Sequence, residues 1–183
     1  AADSAVVRPT TTTTFTVFGT DVNGCLGQDT LQIFVNNLPT IVVNSGTVCA
    51  GAPIQLTANG ANTYQWSPGS SLSDSLSASV TATPTITTTY TITGTVTVTG
   101  CSNSVTTVVT VNPLPVVNAG PDVTVCVGSP AVSFGVADTF QTYQWATITG
   151  QFLSNVDTLV VNQEGEYVIT ATDIRGCINR DTV

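Results

Sequence analysis

The chain has no histidine, no lysine and no methionine. Each absence removes chemistry. Without histidine, Ser-His and Cys-His nucleophile pairs and the commonest zinc ligand are gone. Without lysine there is no Schiff base, no Ser-Lys pair and no Lys-Asn isopeptide lock. Charge is also scarce, at 8% of 183 residues, and three arginines against eleven acidic residues leave a net charge of -8. That balance repels nucleic acid and anionic membrane surfaces. No apolar run approaches the roughly 20 residues of a membrane-spanning helix. No signal-peptide pattern opens the sequence, as expected of a processed chain or an internal piece. Disorder is excluded too, because it needs high charge and low hydrophobicity, and this chain is 42% hydrophobic.

Threonine, valine and isoleucine fill the space left by charge. These β-branched side chains suit a pleated, half-buried surface. Internal repetition then sets the organisation. "TYQW" occurs at Thr63–Trp66 and again at Thr142–Trp145. Cys25, Cys101 and Cys177 each end a Gly-Cys pair and are spaced 76 residues apart. Leu38-Pro39 and Leu114-Pro115 keep the same interval, and "VCAGAP" at Val48–Pro53 matches "VCVGSP" at Val125–Pro130. The chain therefore reads as three copies of one unit. Residues 1–37 form the C-terminal half of a unit, 38–113 a complete one, and 114–183 a unit lacking the end of its last strand. The half units are expected to belong to a longer polymer or to be completed by a neighbouring chain.

Within residues 38–113 the apolar positions alternate with period two, the strand signal. Ile54, Leu56 and Ala58 share one face, as do Tyr64 and Trp66. Tyr90, Ile92, Gly94, Val96 and Val98 are expected inward, with threonines between them. Ser104–Val111 supplies a last strand, with an exposed edge open to self-association. No helical period is visible. Six or seven short strands in about 76 residues imply an all-β fold of tandem antiparallel immunoglobulin-like sandwiches. Trp66 and Trp145, with Tyr64, Tyr143, Tyr90 and Tyr167, then read as core residues and not as a ligand-stacking platform.

Each unit has one cysteine near its start and one near its end. The expected pairs are Cys49 with Cys101 and Cys126 with Cys177, leaving Cys25 to a partner upstream. Free thiols and metal binding are the alternatives, although no C-x-x-C motif is present. Disulfides imply an oxidising, extracellular setting. No catalytic residue, metal ligand or cofactor site is assigned. Glu164 and Glu166 flank Gly165 in a turn, where solvated carboxylates are ordinary.

The combination of "VCAG.P..LTA.GA.TYQWSPG.SLS", "TTTYTITGT" and "VTVNPLP" resembles the tandem immunoglobulin-like or PKD-like repeats of secreted Bacteroidota proteins. "NAGPDVTVCVGSP" at Asn118–Pro130 is similar to the opening of such repeats, whereas the "WDFGDG" signature of strict PKD domains is missing. The likeness covers all three units and departs at "ATITGQFLSNVD" in the third. It implies a type IX secretion substrate of the gliding-motility adhesin type, or a surface filament. The expected function is a disulfide-tied stalk; the alternative is a carbohydrate-binding or spacer module of a secreted hydrolase. Its expected partners are neighbouring repeats, further copies in a filament, or surface polysaccharide.

One further motif occurs more often than composition predicts. Asp followed by Ser or Thr and a small or aliphatic residue occurs five times, with acceptor hydroxyls at Ser4, Thr30, Ser75, Thr158 and Thr182. Composition alone would give one or two. The triplet resembles the O-glycosylation motif of Bacteroidota; the plain reading is that Asp-Thr opens strands.

Overall fold

The computed structural model describes residues 4–137 and 139–183, and it contains only strands and turns among them. The first unit is a single hairpin of β1 (Thr13–Thr20) and β2 (Leu26–Ile33). The second holds β3 (Val42–Val43), β4 (Gly46–Cys49), β5 (Ile54–Asn59), β6 (Thr63–Ser67), β7 (Ser79–Ala82), β8 (Thr88–Thr95) and β9 (Ser102–Asn112). The third holds β10 (Val132–Gly135), β11 (Thr142–Thr147), β12 (Phe152–Ser154), β13 (Thr158–Val161), β14 (Tyr167–Thr172) and β15 (Ile178–Thr182).

In unit two the sheets have the orders β3-β5-β7 and β4-β9-β8-β6. The leading strand is divided between them. β3 pairs antiparallel with β5, and after Asn44 and Ser45 the chain crosses over so that β4 pairs parallel with β9. This is an immunoglobulin-like sandwich. The parallel ladder departs from the all-antiparallel expectation, because the sequence gives no sign of a crossover two residues long. Unit three repeats the plan with sheets β10-β13 and β12-β11-β14-β15.

Alternation places one residue in two inside. Leu56, Ala58, Tyr64, Trp66, Val80, Ala82, Tyr90, Ile92 and Val109 form the core of unit two. Trp145, Leu159, Tyr167, Ile169 and Val183 anchor the separate core of unit three. Gly94 is close-packed: a Cβ there would meet Ile41 and Ala61, whereas Ala171 fills the corresponding place in unit three. Val98 is exposed, contrary to the alternation, because β8 stops at Thr95 and the backbone turns, with Thr99 and Gly100 donating to Val96. The edge expected over Ser104–Val111 is narrower as well, since β4 covers Val109–Asn112.

Candidate functional site at the joint between units

Both tryptophans lie inside, Trp66 at 2% exposure and Trp145 at 0%. Tyr64, Tyr90 and Tyr167 are buried and Tyr143 is half-buried. Every tyrosine hydroxyl has a polar neighbour. Tyr64 exchanges hydrogen bonds with the backbone of Ala61, Tyr90 bonds Ser71 at 2.6 Å, Tyr143 accepts from the Phe140 N–H, and Tyr167 donates to Gln163 O. These rings fill the units and offer no flat surface to a sugar. A groove of about 510 Å³ is lined by Val43, Ser45, Gly46, Thr47 and residues of β9, none of them ionisable. No group of three metal-ligating side chains occurs among the described residues.

The distinctive chemistry lies at the joint. Cys49 is bonded to Cys177, 128 residues away, with the two Cα atoms 5.5 Å apart. The bond joins the end of β4 in unit two to the β14–β15 turn in unit three. Cys101 and Cys126 are free, as is Cys25, so the intra-unit pairs expected from the sequence are not formed. Strand geometry explains the correction. Cys49 is in register with Asn112, the last residue of β9, while Cys101 precedes the first. At about 3.4 Å per residue, the length of β9 holds them on the order of 35 Å apart. A disulfide tolerates only ~4.4–6.8 Å between Cα atoms.

A polar clasp ties each linker to the unit that follows it. Asn179 Nδ2 donates to Pro115 O at 2.8 Å, and Asn103 Nδ2 donates to Pro39 O at 3.0 Å. The two clasps are 76 residues apart, so both joints are built alike. In addition, Ala119 N donates to Asp181 Oδ2 at 2.8 Å, tying the linker to β15. The sequence carried a signal for the clasp that motif reasoning missed, since Asn follows Gly-Cys by two residues in units two and three.

The Gly-Cys turns are shaped by aspartate where one is present. Asp173 accepts from the N–H groups of Arg175 and Cys177, and Asp21 accepts from Asn23 and Cys25, all at 2.8 Å. The Cys25 N–H holds the Asp21 carboxyl below its ordinary range. A similar cap forms at Asp74, which accepts from Ser77 Oγ and from the N–H groups of Leu76 and Ser77. The Ser77 hydroxyl is the main reason its pKa is lowered. Among the hydroxyls following aspartate, Ser4, Thr30, Thr158 and Thr182 are exposed and Ser75 is half-buried.

No family model and no curated protein matches this chain. Several solved structures are similar to it. Extracellular domains 3-5 of Drosophila OTK are 15% identical, with 93% of this chain and 68% of that one covered at a TM-score of 0.37. Titin domains I67-I69 are 12% identical, with 93% and 72% covered at 0.38. Fibronectin(III)-like modules of Clostridium thermocellum CbhA are 16% identical, with 79% and 92% covered at 0.32.

Proposed function

We propose that this chain is an extracellular structural repeat module, part of the stalk of a large bacterial surface adhesin or filament, with no catalytic role. The observation that carries the reading is the bond between Cys49 and Cys177, which joins two units that each have a core of their own. A cross-link in that position adds little to either core. Its effect is to fix one unit against the next, which is what a spacer needs. Disulfides persist in oxidising compartments, so the bond also favours secretion. The buried tryptophans weigh against a carbohydrate-binding module. Electron microscopy of the native protein tests the reading: thin beaded threads on the cell surface are expected, and a compact soluble particle would refute it.

We also propose that some of the exposed hydroxyls at Ser4, Thr30, Thr158 and Thr182 carry glycans. The physical motive is hydration, because a threonine-rich surface with 8% charged residues has few other groups to oppose association. Intact-mass measurement of native protein is expected to show hexose-sized additions, and their absence would end the proposal.

A further inference from the structure

Cys101 and Cys126 have no partner within the described residues, yet each occupies a position whose copy is bonded elsewhere in the chain. Cys126 corresponds to Cys49. The turn after Cys49 is closed by Ala52 N donating to Cys49 O at 2.9 Å, and the turn after Cys126 by Ser129 N donating to Cys126 O at 3.0 Å. Gly51 and Gly128 carry the same positive φ, 77° and 86°. Cys101 corresponds to Cys177, being followed two residues later by the asparagine of the same clasp.

A second observation says where the partner of Cys101 must lie. Its sulfur sits 3.9 Å from the carbonyl oxygen of Asn36. Asn36 is the repeat equivalent of Asn112, and Asn112 is the residue in register with Cys49 on the adjacent parallel strand. Cys101 therefore faces the place that a Cys49-like residue would occupy beside Asn36. At the other end, Val123–Cys126 forms no strand. β4, by contrast, is a strand over Gly46–Cys49.

We infer that Cys101 and Cys126 are halves of further inter-unit cross-links, each taking the complementary cysteine of another unit of this same kind. The rule is directional: the Val-Cys turn of one unit bonds the Gly-Cys turn of the unit that follows. Cys126 thus requires a Gly-Cys turn, and Cys101 requires a Val-Cys strand. Cys25, in the same Asp-capped turn as Cys177, requires a Val-Cys strand too. Each bond forms from two thiols with loss of two protons and two electrons to a disulfide donor of the oxidising compartment. The inference rests on the repeat-module reading and specifies its partner.

The test is disulfide mapping of the native protein. Thiols are alkylated before denaturation, the protein is digested without reduction, and linked peptides are sequenced. A Cys126 peptide joined to a Gly-Cys peptide, and a Cys101 peptide joined to one bearing Val-Cys, are expected. Gel mobility with and without reductant then separates the sources: a partner in another chain lowers the mass on reduction, and one in the same chain does not. Alkylated Cys101 or Cys126, a bond between these two, or a small-molecule adduct on either would overturn the inference while Cys49–Cys177 stands. If Cys49 and Cys177 are alkylated as well, the extracellular reading fails with it.

Discussion

The indole N–H of Trp66 donates to the carbonyl oxygen of Ser77 at 2.8 Å. Its counterpart Trp145 is equally deep, but its N–H has no partner among the described residues. The two units diverge in sequence directly after these tryptophans. In unit two the segment after β6 folds back, and Ser75 O and Ser77 O accept from the Trp66 backbone and ring. In unit three that segment becomes β12, whose Ser154 pairs with Trp145 through the backbone alone.

Trp66→Phe is therefore expected to destabilise its unit by about 1 kcal/mol more than Trp145→Phe does, the net worth of a buried hydrogen bond. Either Trp→Ala change should cost ~3–5 kcal/mol. Each Phe variant keeps only the tryptophan of the other unit, so calorimetric unfolding of each variant against the parent protein reads the cost in the mutated unit. Equal costs for the two Phe variants would contradict the assignment.

Gly60→Ala should destabilise unit two by roughly 2–4 kcal/mol. Gly60 has φ of 103°, and an added Cβ would fall on the carbonyl of Thr40, which is backbone and cannot step aside. Gly51→Ala is the control, since open space surrounds it and only its φ of 77° is strained. Denaturation midpoints that fall by the same amount in both would refute the crowding argument.

Acid should loosen the segment that follows Trp66. The Ser77 hydroxyl and the Leu76 N–H hold the Asp74 pKa below its ordinary 3.8. A carboxylate with a depressed folded-state pKa contributes stability above its unfolded value and loses it as the pH falls through the folded value. In a Trp145→Phe background, Trp66 emission should stay constant above about pH 5 and change below pH 3.8. Asp74→Asn should remove that change; a titration identical in both proteins would show that Asp74 is not its source.

Reducing Cys49–Cys177 should leave both cores folded and free the joint. The Asn179–Pro115 clasp remains, but both of its residues belong to unit three, so it ties the linker to that unit and does not hold unit two. Small-angle scattering should show a wider spread of inter-unit distances, while the circular dichroism of the strands is unchanged. Loss of strand signal on reduction would mean that the bond sustains the units themselves.

Much of this architecture was legible in the sequence, because period-two alternation and a 76-residue repeat are properties of a linear string. They located Leu56, Trp66, Ile92 and Trp145 inside. The cysteine partners were not legible. Pairing Cys49 with Cys177 depends on β4 lying parallel to β9, and a four-residue strand carries no mark of its direction. Val98 was misplaced for a related reason: alternation continues through "TVTV" although hydrogen bonding has already turned the chain. The two partners of each Asn-Pro clasp lie 64 residues apart in sequence, so their pairing is not a local pattern.

The register of Cys49 with Asn112 has a mechanical consequence. Tension arriving from unit three enters unit two at two neighbouring points, through the backbone at Asn112 and through the sulfur at Cys49. β4 and β9 are then drawn in the same direction, so their ladder is not peeled open rung by rung. The traction spreads into β8 behind β9 and, through the crossover, into β3 and β5, and both sheets share what one strand would otherwise bear.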